Sequence, residues 1–371
     1  KEQTTMEKKV RVLEVFGEPI SNGGQESFVI NIVQHINHEH LAIDMLTPYY
    51  CDNSYYEDIV KSFGGTIYTF GLSFEPGKSR FNINDKIDAF FKEHPYDVVH
   101  IHSGSISILC IMAHFAKKNH VKKIIVHSHC AAEHKTLKYR LTRMASYPYI
   151  MSAPTDYCAC SVVAGEWKYP KAIVDHKLKV LKNGVDLEKF AFNEETKCEI
   201  RKKLAIPEDA FVLGHVGRFS YQKNHEYLIR IFAEVRKRNE HAVLMLIGDG
   251  ENKPDVKKQI EELHLTDSVR FCGLVNNVND YMQAMDVFVL PSRYEGLPIV
   301  GVEAQASVNV SEELEISDLV TFLELKEDVS EWADKILSYE GKEREDASEQ
   351  IRSHGYDVQF TADEIEKMYL S

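Results

Sequence analysis

Short apolar runs alternate with helical patterns along this chain, and the alternation limits the folds that it can adopt. In the first half, apolar runs occupy residues 10–15, 42–46, 66–70, 98–101 and 124–126, and helical patterns at 27–36, 83–91 and 106–118 lie between some of them. Short apolar runs bounded by turn residues are typical of strands that are buried on both faces. The alternation therefore predicts a parallel sheet covered by helices on both sides.

The pattern starts again after residues 183–185. Apolar runs at residues 211–216, 243–247, 269–271 and 287–290 predict new strands, and residues 226–236 and 256–263 have helical patterns. We predict an α/β chain with two Rossmann-like domains, residues 1–182 and 183–358, with a substrate cleft between them, because open parallel sheets bind ligands at the carboxyl ends of their strands.

Composition excludes some classes of protein. The formal net charge of −13 argues against general binding to nucleic acid, which needs clustered Lys and Arg. No apolar run approaches the roughly 20 residues of a membrane span, and residues 1–9 are charged and polar, so we expect a cytoplasmic protein. The seven cysteines are expected to be reduced, buried thiols.

Residues 291–304, directly after the 287–290 run, are the most informative segment. Pro298 at a first helical position predicts a helix that begins there, and the free backbone N–H groups of residues 297–300 would suit a diphosphate. Glu295 would stand before this helix and Glu303 within it, so that the two carboxylates address different parts of one extended ligand. The alternative is a solvated loop acid and a surface acid.

A second polar cluster, residues 217–224, follows the 211–216 run. Arg218 and Lys223 are positioned there to clamp one diphosphate, Arg218 with its planar guanidinium group and Lys223 with the point charge of its ammonium group. Charged loops are common, so this pair is weak evidence by itself.

Together with Gly248-Asp249-Gly250 and Cys272-Gly273 after the next strands, these segments resemble the retaining GT-B glycosyltransferases of family 4, the type that builds bacterial polysaccharides. The resemblance covers nearly the whole chain, and the Glu-Gly-Leu-Pro segment followed by Glu303 is its most specific part. It implies two facing domains, the first on the acceptor side and the second on the nucleotide-sugar side. Residues 359–371 would form a helix that crosses back to the first domain.

The resemblance also implies roles for single residues. Glu303 would bind the ribose hydroxyls and Glu295 the hydroxyls of the donor sugar, while Arg218 and Lys223 would neutralise the leaving diphosphate. The other donor-binding residues that it implies are Gly248, Leu297, Pro298, Ile299 and Val300.

The first domain offers a glycine loop and a histidine. Gly23 and Gly24 resemble the family's glycine loop, which lets backbone approach a phosphate or the acceptor, although an ordinary turn is the alternative. His129 matches the family's histidine near the reacting sugar, with His127 as second candidate, although a lone histidine is more often structural. We assign His100 and His102 to packing or loop hydrogen bonds.

The sequence departs from the family after Ser307. Where the family continues with a glycine-proline turn and another core strand, this chain passes to Val308 and an acidic, helix-like stretch. Either the strand is lost or a segment is omitted, and omission is favoured because loss of an internal strand would expose apolar faces.

The resemblance implies front-face attack with retention, in which the departing phosphate accepts the proton of the acceptor hydroxyl and electrostatic stabilisation of the diphosphate dominates. The resemblance also implies that the donor would be a nucleotide sugar, with a UDP-sugar preferred to GDP-mannose, and that the acceptor would be a glycan or a lipid-linked glycan. No divalent metal or other cofactor is expected. A non-catalytic nucleotide-sugar-binding or scaffold protein of the same fold is the alternative.

Two basic stretches in the first half predict peripheral contact with an anionic membrane at the inner face of the plasma membrane. Solvated helix faces are the alternative. The stretches comprise Lys117, Lys118, Lys122 and Lys123, and Lys135, Lys138, Arg140 and Arg143.

Overall fold

The computed structural model describes residues 8–21, 23–75, 83–129, 136–294, 304–307, 321–342 and 348–371. The chain forms two compact units. The first comprises Lys1–Gly184 together with Tyr356–Ser371, and the second comprises Val185–Gly355.

Seven strands among the described residues form the sheet of the first unit. They are β1 (Val10–Phe16), β2 (Leu41–Thr47), β3 (Ile67–Thr69), β4 (Val98–His102), β5 (Lys123–Ser128), β6 (Asp156–Ala159) and β7 (Leu178–Val180). All neighbours are parallel, in the order β3-β2-β1-β4-β5-β6-β7. The five strands predicted for this half are confirmed. The apolar pattern misses β6 and β7, in which the charged residues Asp156 and Lys179 break short apolar runs.

The helices of this unit cover both faces of the sheet. Side-chain oxygens of Asn53, Thr136 and Ser161 accept backbone N–H groups at the starts of the helices Ser54–Ser62, Leu137–Ser152 and Val162–Lys168, which accounts for where these helices begin. The helices are α1 (Gly24–His35), α2 (Ser54–Ser62), α3 (Asn84–Glu93), α4 (Ile106–Lys118), α5 (Leu137–Ser152), α6 (Val162–Lys168) and α7 (Lys171–His176).

The strands described in the second unit are β8 (Phe211–Val216), β9 (Ala242–Ile247), β10 (Val269–Gly273), β11 (Val287–Leu290), β12 (Ala304–Ser307) and β13 (Thr321–Leu323). These six strands form a parallel sheet in the order β10-β9-β8-β11-β12-β13. Its helices are α8 (Leu187–Phe190), α9 (Glu194–Lys203), α10 (His225–Arg238), α11 (Lys253–Glu262), α12 (Val278–Gln283), α13 (Ser330–Leu337) and α14 (Ser348–Ser353), with a short 3-10 helix at Thr266–Ser268. The four strands predicted for this half are confirmed. Trp332 of α13 and Phe232 of α10 are fully buried in its core.

The resemblance implies that a core strand is missing after Ser307, but residues 304–307 themselves form a strand. The backbone of β12 pairs in parallel with β11 on one side and with β13 on the other. Residues 304–307 therefore occupy the position next to β11, although by the resemblance they precede the missing strand.

The last helix, α15 (Val358–Leu370), belongs to the first unit. Its Ile365 and Met368 share a core with Val12 and Phe16 of β1. Leu13 and Val15 of β1 belong to the core on the opposite face, where α3 and α4 pack. Since side chains alternate along a strand, Glu14 lies on the α15 face of the sheet.

None of the described helices combines the length and the apolar composition that a membrane span requires. The six cysteines within the described residues are free thiols, of which Cys110, Cys158 and Cys160 are buried. Cys198 is exposed, so the expectation of buried thiols is wrong at that position.

Gly184 lies against the start of α15. A Cβ atom on Gly184 would lie 2.5 Å from the Cα of Val358 and 2.9 Å from the carbonyl oxygen of Asp357. These are backbone atoms, which cannot rotate away, so α15 keeps its position only if residue 184 has no side chain.

We expect Gly184→Ala to destabilise the first unit by about 1 to 3 kcal/mol, the usual cost of overpacking. Gly24→Ala is the matched control, because a Cβ on Gly24 would meet nothing within 4 Å. Thermal unfolding followed by circular dichroism measures the difference. Equal melting temperatures for the two variants would contradict the role of Gly184.

Candidate functional site

Loops of the second unit meet where β8, β9 and β10 end. The amide of Gly217 donates to the carbonyl of Ile247 at 3.0 Å, and the amide of Gly248 donates to the carbonyl of Gly273 at 2.8 Å. Gly248 has φ of +133°, and a Cβ on it would lie 2.1 Å from the carbonyl oxygen of Gly217. The loops thus approach each other through bare backbone, which only glycine permits at this position.

The two predicted cations both lie in the loop after β8. Arg218 is exposed and pairs with Glu251, with 3.1 Å between Nη2 and Oε2. Lys223 is half-buried, and its stem passes over Gly217, since a Cβ there would lie 3.1 Å from Cδ and Cε of Lys223. The structure therefore brings Arg218, Lys223 and Gly248 to one end of the second sheet.

Two buried histidines lie beside Lys223. Nδ1 of His215 donates to the carbonyl of Val289 at 2.8 Å, and the ring of His225 stacks on Phe219 at 4.0 Å between centroids. Burial lowers the pKa of both rings, that of His225 to about 4, and the charge of Lys223 contributes. Nε2 of His215 and both ring nitrogens of His225 have no hydrogen-bond partner among the described residues. The sequence pattern did not indicate these rings, although His215 interrupts an apolar strand.

The loop after β11 is fastened to the loop that carries Lys223. The amide of Arg293 donates to the carbonyl of Gln222 at 2.8 Å, and Nδ2 of Asn224 donates to the carbonyl of Pro291 at 3.1 Å. The chain is thus held beside Lys223 just before the Glu-Gly-Leu-Pro segment. The predicted site residues of that segment lie outside the described residues: Glu295, Leu297, Pro298, Ile299, Val300 and Glu303.

A cavity of about 330 Å³ opens next to these loops. Ser220, Tyr221 and Arg293 are among its lining residues, and the guanidinium of Arg293 lies 4.4 Å from the centre of the Tyr221 ring. Arg218 and Lys223 do not line it. Arg293 is thus a further polar residue near these loops, and no role was predicted for it.

In the first unit, the glycine loop lies next to a buried acid. Gly23 has extended backbone, with φ of −108°, but a Cβ on it would lie 2.1 Å from Oε2 of Glu26. Gly24 has open space around it. Burial raises the pKa of Glu26 to about 8, against the effect of hydrogen bonds from backbone and from Gln25. Gly23 therefore leaves room for a carboxyl group that is protonated at neutral pH.

Four histidines at the carboxyl ends of β4 and β5 form a network with Glu14 and Tyr369. His102 bonds through Nε2 to Oε2 of Glu14 at 2.7 Å and through Nδ1 to Nε2 of His129 at 2.8 Å. Tyr369 of α15 donates to Oε1 of Glu14.

A second branch of this network joins the other two rings. His100 bonds to the hydroxyl of Tyr369 at 2.7 Å and to Nδ1 of His127 at 3.2 Å. His102 packs on Phe16 and bonds to His129 in the loop after β5, which agrees with the expectation of packing or loop hydrogen bonds. His100 bonds instead to Tyr369 of a helix and His127 of a strand, so the expectation of a loop hydrogen bond is wrong for His100. Glu14 and Tyr369 are residues that the sequence analysis missed. An acid within the apolar run 10–15 was the available signal.

Burial dominates the electrostatics of this network. It raises the pKa of Glu14, which His100 and the hydrogen bond from Tyr369 oppose. It also lowers the pKa of each histidine, that of His102 to about 3. The rings are therefore neutral, so each ring has one nitrogen that donates and one that accepts.

His100, His102 and His127 are also grouped closely enough to hold a metal ion, with donor atoms within 4.8 Å of one another. Their nitrogens already have hydrogen-bond partners within the network, except Nε2 of His127, which has none among the described residues. A bound ion would have to replace several of these hydrogen bonds, so we interpret the group as a hydrogen-bonded network.

Comparison with known proteins shows the family. Residues 22–189 match the model for Glycosyltransferase Family 4, and residues 196–308 match that for Glycosyl transferases group 1. The chain is 30% identical over 373 residues to EpsF of Bacillus subtilis (strain 168), described as a glycosyltransferase, across 97% of this chain and 96% of EpsF. The chain belongs to glycosyltransferase family 4.

This family 4 glycosyltransferase is also 30% identical over 226 residues to the UDP-Gal:alpha-D-GlcNAc-diphosphoundecaprenol alpha-1,3-galactosyltransferase of Escherichia coli, over 58% of this chain and 57% of that relative. Among solved structures it resembles Anabaena HepE in complex with UDP and glucose, with a TM-score of 0.76, 17% identity and coverage of 98% and 100% of the two chains. It also resembles WaaG, a glycosyltransferase involved in lipopolysaccharide biosynthesis, with a TM-score of 0.67, 13% identity and coverage of 95% of each chain. These likenesses confirm the GT-B fold.

The pKa of Glu26 gives the glycosyltransferase a testable pH dependence. The native pKa is about 8 and the ordinary value is 4.5. Because the native pKa is the higher one, the stabilising contribution is complete below the ordinary value and is lost as the pH rises through the native value.

We expect the stability of the wild type relative to Glu26→Gln to fall by roughly 1 kcal/mol per pH unit between the two pKa values, because Gln cannot ionise. Above the native value the difference should be constant. Melting temperatures of both proteins across this range check the expectation. Parallel curves would show that the pKa of Glu26 is the same in the folded and unfolded states.

Proposed function

We propose that this family 4 glycosyltransferase moves a sugar from a UDP-sugar to a glycan or lipid-linked acceptor, with retention of configuration, in the synthesis of a capsule, exopolysaccharide or other cell-surface glycan. The observation that carries the proposal is the group of loops in the second unit, in which Arg218 and Lys223 flank the bare backbone of Gly217 and Gly248. Cations beside bare peptide groups suit a diphosphate, whose charge they neutralise while the backbone approaches closely.

The names of similar proteins support the donor and the acceptor. The Escherichia coli relative is named for UDP-Gal and for an acceptor on diphosphoundecaprenol, and the Anabaena structure contains UDP and glucose. The similarity to the glycosyltransferase EpsF extends over 96% of that relative, which supports transfer of a sugar as the reaction. For these reasons we prefer UDP to other nucleotides.

In the proposed reaction, the acceptor hydroxyl attacks the anomeric carbon on the face from which the diphosphate departs. The C–O bond to phosphate breaks, the C–O bond to the acceptor forms, and a phosphate oxygen takes the hydroxyl proton. Arg218 and Lys223 stabilise the charge that develops on the leaving group. Glu303 holds the ribose, Glu295 holds the sugar hydroxyls, and His129 lies near the reacting sugar.

The decisive experiment supplies UDP-glucose, UDP-galactose, UDP-N-acetylglucosamine and GDP-mannose separately with GlcNAc-diphosphoundecaprenol. Steady release of UDP with an α-linked product by NMR supports the proposal. Saturable binding of every donor without turnover would favour the alternative, a nucleotide-sugar-binding protein. An inverted product would overturn retention.

We expect Arg218 and Lys223 to supply the positive charge at the diphosphate that a divalent metal would otherwise provide. We expect Lys223→Ala to lower turnover by about a hundredfold or more while the protein stays folded, because loss of one charge-assisted contact to a leaving group costs roughly 2 to 4 kcal/mol. Transfer should persist in excess EDTA.

Lys258→Ala is the matched control, because Lys258 is an exposed lysine of the same unit that pairs with Glu262. It should retain wild-type turnover. If EDTA abolishes transfer and magnesium or manganese restores it, or if Lys223→Ala is as active as the control, the charge is supplied in another way.

A membrane contact belongs to the same proposal, and the surface of α5 supports it. Leu137, Leu141 and Met144 are 71%, 58% and 66% exposed. Their spacing places them on one side of the helix, and the exposed Arg140 lies in the same segment. Such a helix suits the headgroup region of an anionic bilayer.

The basic residues by themselves are weaker support. Lys118 pairs with Asp88 at 2.9 Å, while Lys117, Lys123 and Arg143 donate to carbonyl oxygens. These cations are therefore already engaged in part within the protein, and the apolar stripe of α5 is the stronger reason to propose a bilayer.

We expect Leu141→Glu combined with Met144→Glu to weaken binding to phosphatidylglycerol vesicles at least about tenfold, since burial of a large apolar side chain contributes roughly 1.5 to 3 kcal/mol. Leu263→Glu is the control, an exposed leucine of the second unit. Vesicle co-sedimentation at low and high salt measures the effect. Absence of wild-type binding at low salt would end the membrane proposal.

A further inference from the structure

The network around Glu14 contains an unbroken line of hydrogen bonds that ends at His129. Oε2 of Glu14 lies 2.7 Å from Nε2 of His102, and Nδ1 of His102 lies 2.8 Å from Nε2 of His129. Glu14 and His102 are 2% and 0% exposed, whereas His129 is only half-buried. The line therefore connects a buried acid to the ring of the network that can meet a ligand.

Each ring in this line has one proton to donate, so the state of Glu14 fixes all the others. When Glu14 is ionised, Nε2 of His102 donates to it, and Nδ1 of His102 then accepts from Nε2–H of His129. Nδ1 of His129 consequently has no proton and is an acceptor.

Uptake of one proton at Nδ1 of His129 reverses the line. The proton on Nε2 of His129 moves to Nδ1 of His102, and the proton on Nε2 of His102 moves to Oε2 of Glu14. The result is a neutral carboxyl group, a neutral His102 and a neutral His129 with Nδ1–H. One proton enters, two protons move inward, and no positive charge remains on any ring.

We propose that Glu14, His102 and Tyr369 are positioning residues that make His129 one end of a proton relay, in which a proton accepted at Nδ1 of His129 is balanced by protonation of Glu14. The relay rests on the proposed function only where it assigns His129 to the reacting sugar. According to the relay, the protonation state of Glu14 decides whether Nδ1 of His129 accepts a hydrogen bond from that sugar or donates one to it.

Burial explains why the relay favours the neutral result. Water is excluded from Glu14 and from the His102 ring, so a charged imidazole at His102 is unfavourable, and so is an isolated carboxylate. Burial accordingly shifts the pKa of the four histidines down and that of Glu14 up. Transfer of the proton to Glu14 removes both charges together.

Several elements contribute groups that face this line. β4 and β5 contribute His100 and His127, and Asp156 of β6 acts on His100 through its charge. α1 contributes the ring of Phe28, which lies 5.2 Å from the rings of His127 and His129.

Tyr369 gives the C-terminal helix control over the relay. Its hydroxyl donates to Oε1 of Glu14 and accepts from Nδ1 of His100. Donation to the carboxylate favours its ionised form, so loss of this hydroxyl should make Glu14 easier to protonate.

The test follows the imidazole nitrogens of His129 by ¹⁵N NMR in the free full-length protein, labelled at histidine, from about pH 5 to about pH 9. His129→Gln assigns the signals. In the wild type we expect Nδ1 to lose its proton as the pH rises while Nε2 gains one.

The variants separate the relay from a structural role. In Glu14→Gln the tautomer of His129 should not change with pH. In Tyr369→Phe the change should move upward by about one to two pH units, the effect of one hydrogen bond to a charged group. Tyr169→Phe is the control, because its buried hydroxyl bonds to the carbonyls of Val126 and Cys158 and should leave the His129 transition unchanged.

One tautomer of His129 throughout the wild-type titration, or the same transition in Glu14→Gln, would overturn the relay. If Glu14→Gln does not fold, the wild type and Tyr369→Phe still decide. The readout needs no substrate. A coupled tautomer without sugar transfer would therefore support the relay and count against the proposed function, whereas transfer with an uncoupled tautomer would overturn the relay alone.

Discussion

In both units every described strand runs parallel to its neighbours, so the carboxyl ends of the strands share one edge of each sheet. The residues that follow the strands converge on this edge, however far apart they lie in the sequence. In the second unit this brings the loops of Gly217 and Gly248 into backbone contact. In the first unit it aligns His102 with His127 on neighbouring strands. Both candidate groups depend on this single geometric constraint.

The polar network of the first unit is tolerated in a core because its members satisfy one another. A buried carboxyl group and four buried or half-buried imidazoles would be costly without partners. Here Glu14 accepts from Tyr369 and bonds to His102, and the other rings continue the chain. The final helix is therefore part of this group as well as of the core, because it supplies the tyrosine that completes the network.

Glycines act by different means at different positions. Gly248 combines a positive φ with close backbone contact, whereas Gly23 has ordinary extended backbone and is constrained by the carboxyl group of Glu26. Gly184 is constrained by the backbone of α15. Only the first of these uses the conformational freedom of glycine. At the other two positions the small size of glycine is what matters. It lets the loop at Gly23 lie against Glu26, and it lets the chain at Gly184 lie against the start of the last helix.

The sequence by itself determined the α/β class and the positions of five strands in the first unit and four in the second, because apolar runs of strand length are a local signal. It also determined the family, because the Glu-Gly-Leu-Pro segment is likewise local. It also located Arg218, Lys223 and His129 at strand ends. It missed β6 and β7, in which the charged residues Asp156 and Lys179 break short apolar runs, and it also missed β13. It also missed the partnership of Glu14, His102 and Tyr369, residues separated by up to 355 positions. Only the tertiary structure decided that partnership, because strand pairing and the docking of α15 place these side chains on one face of the sheet, and no local pattern records which distant residues will share a face.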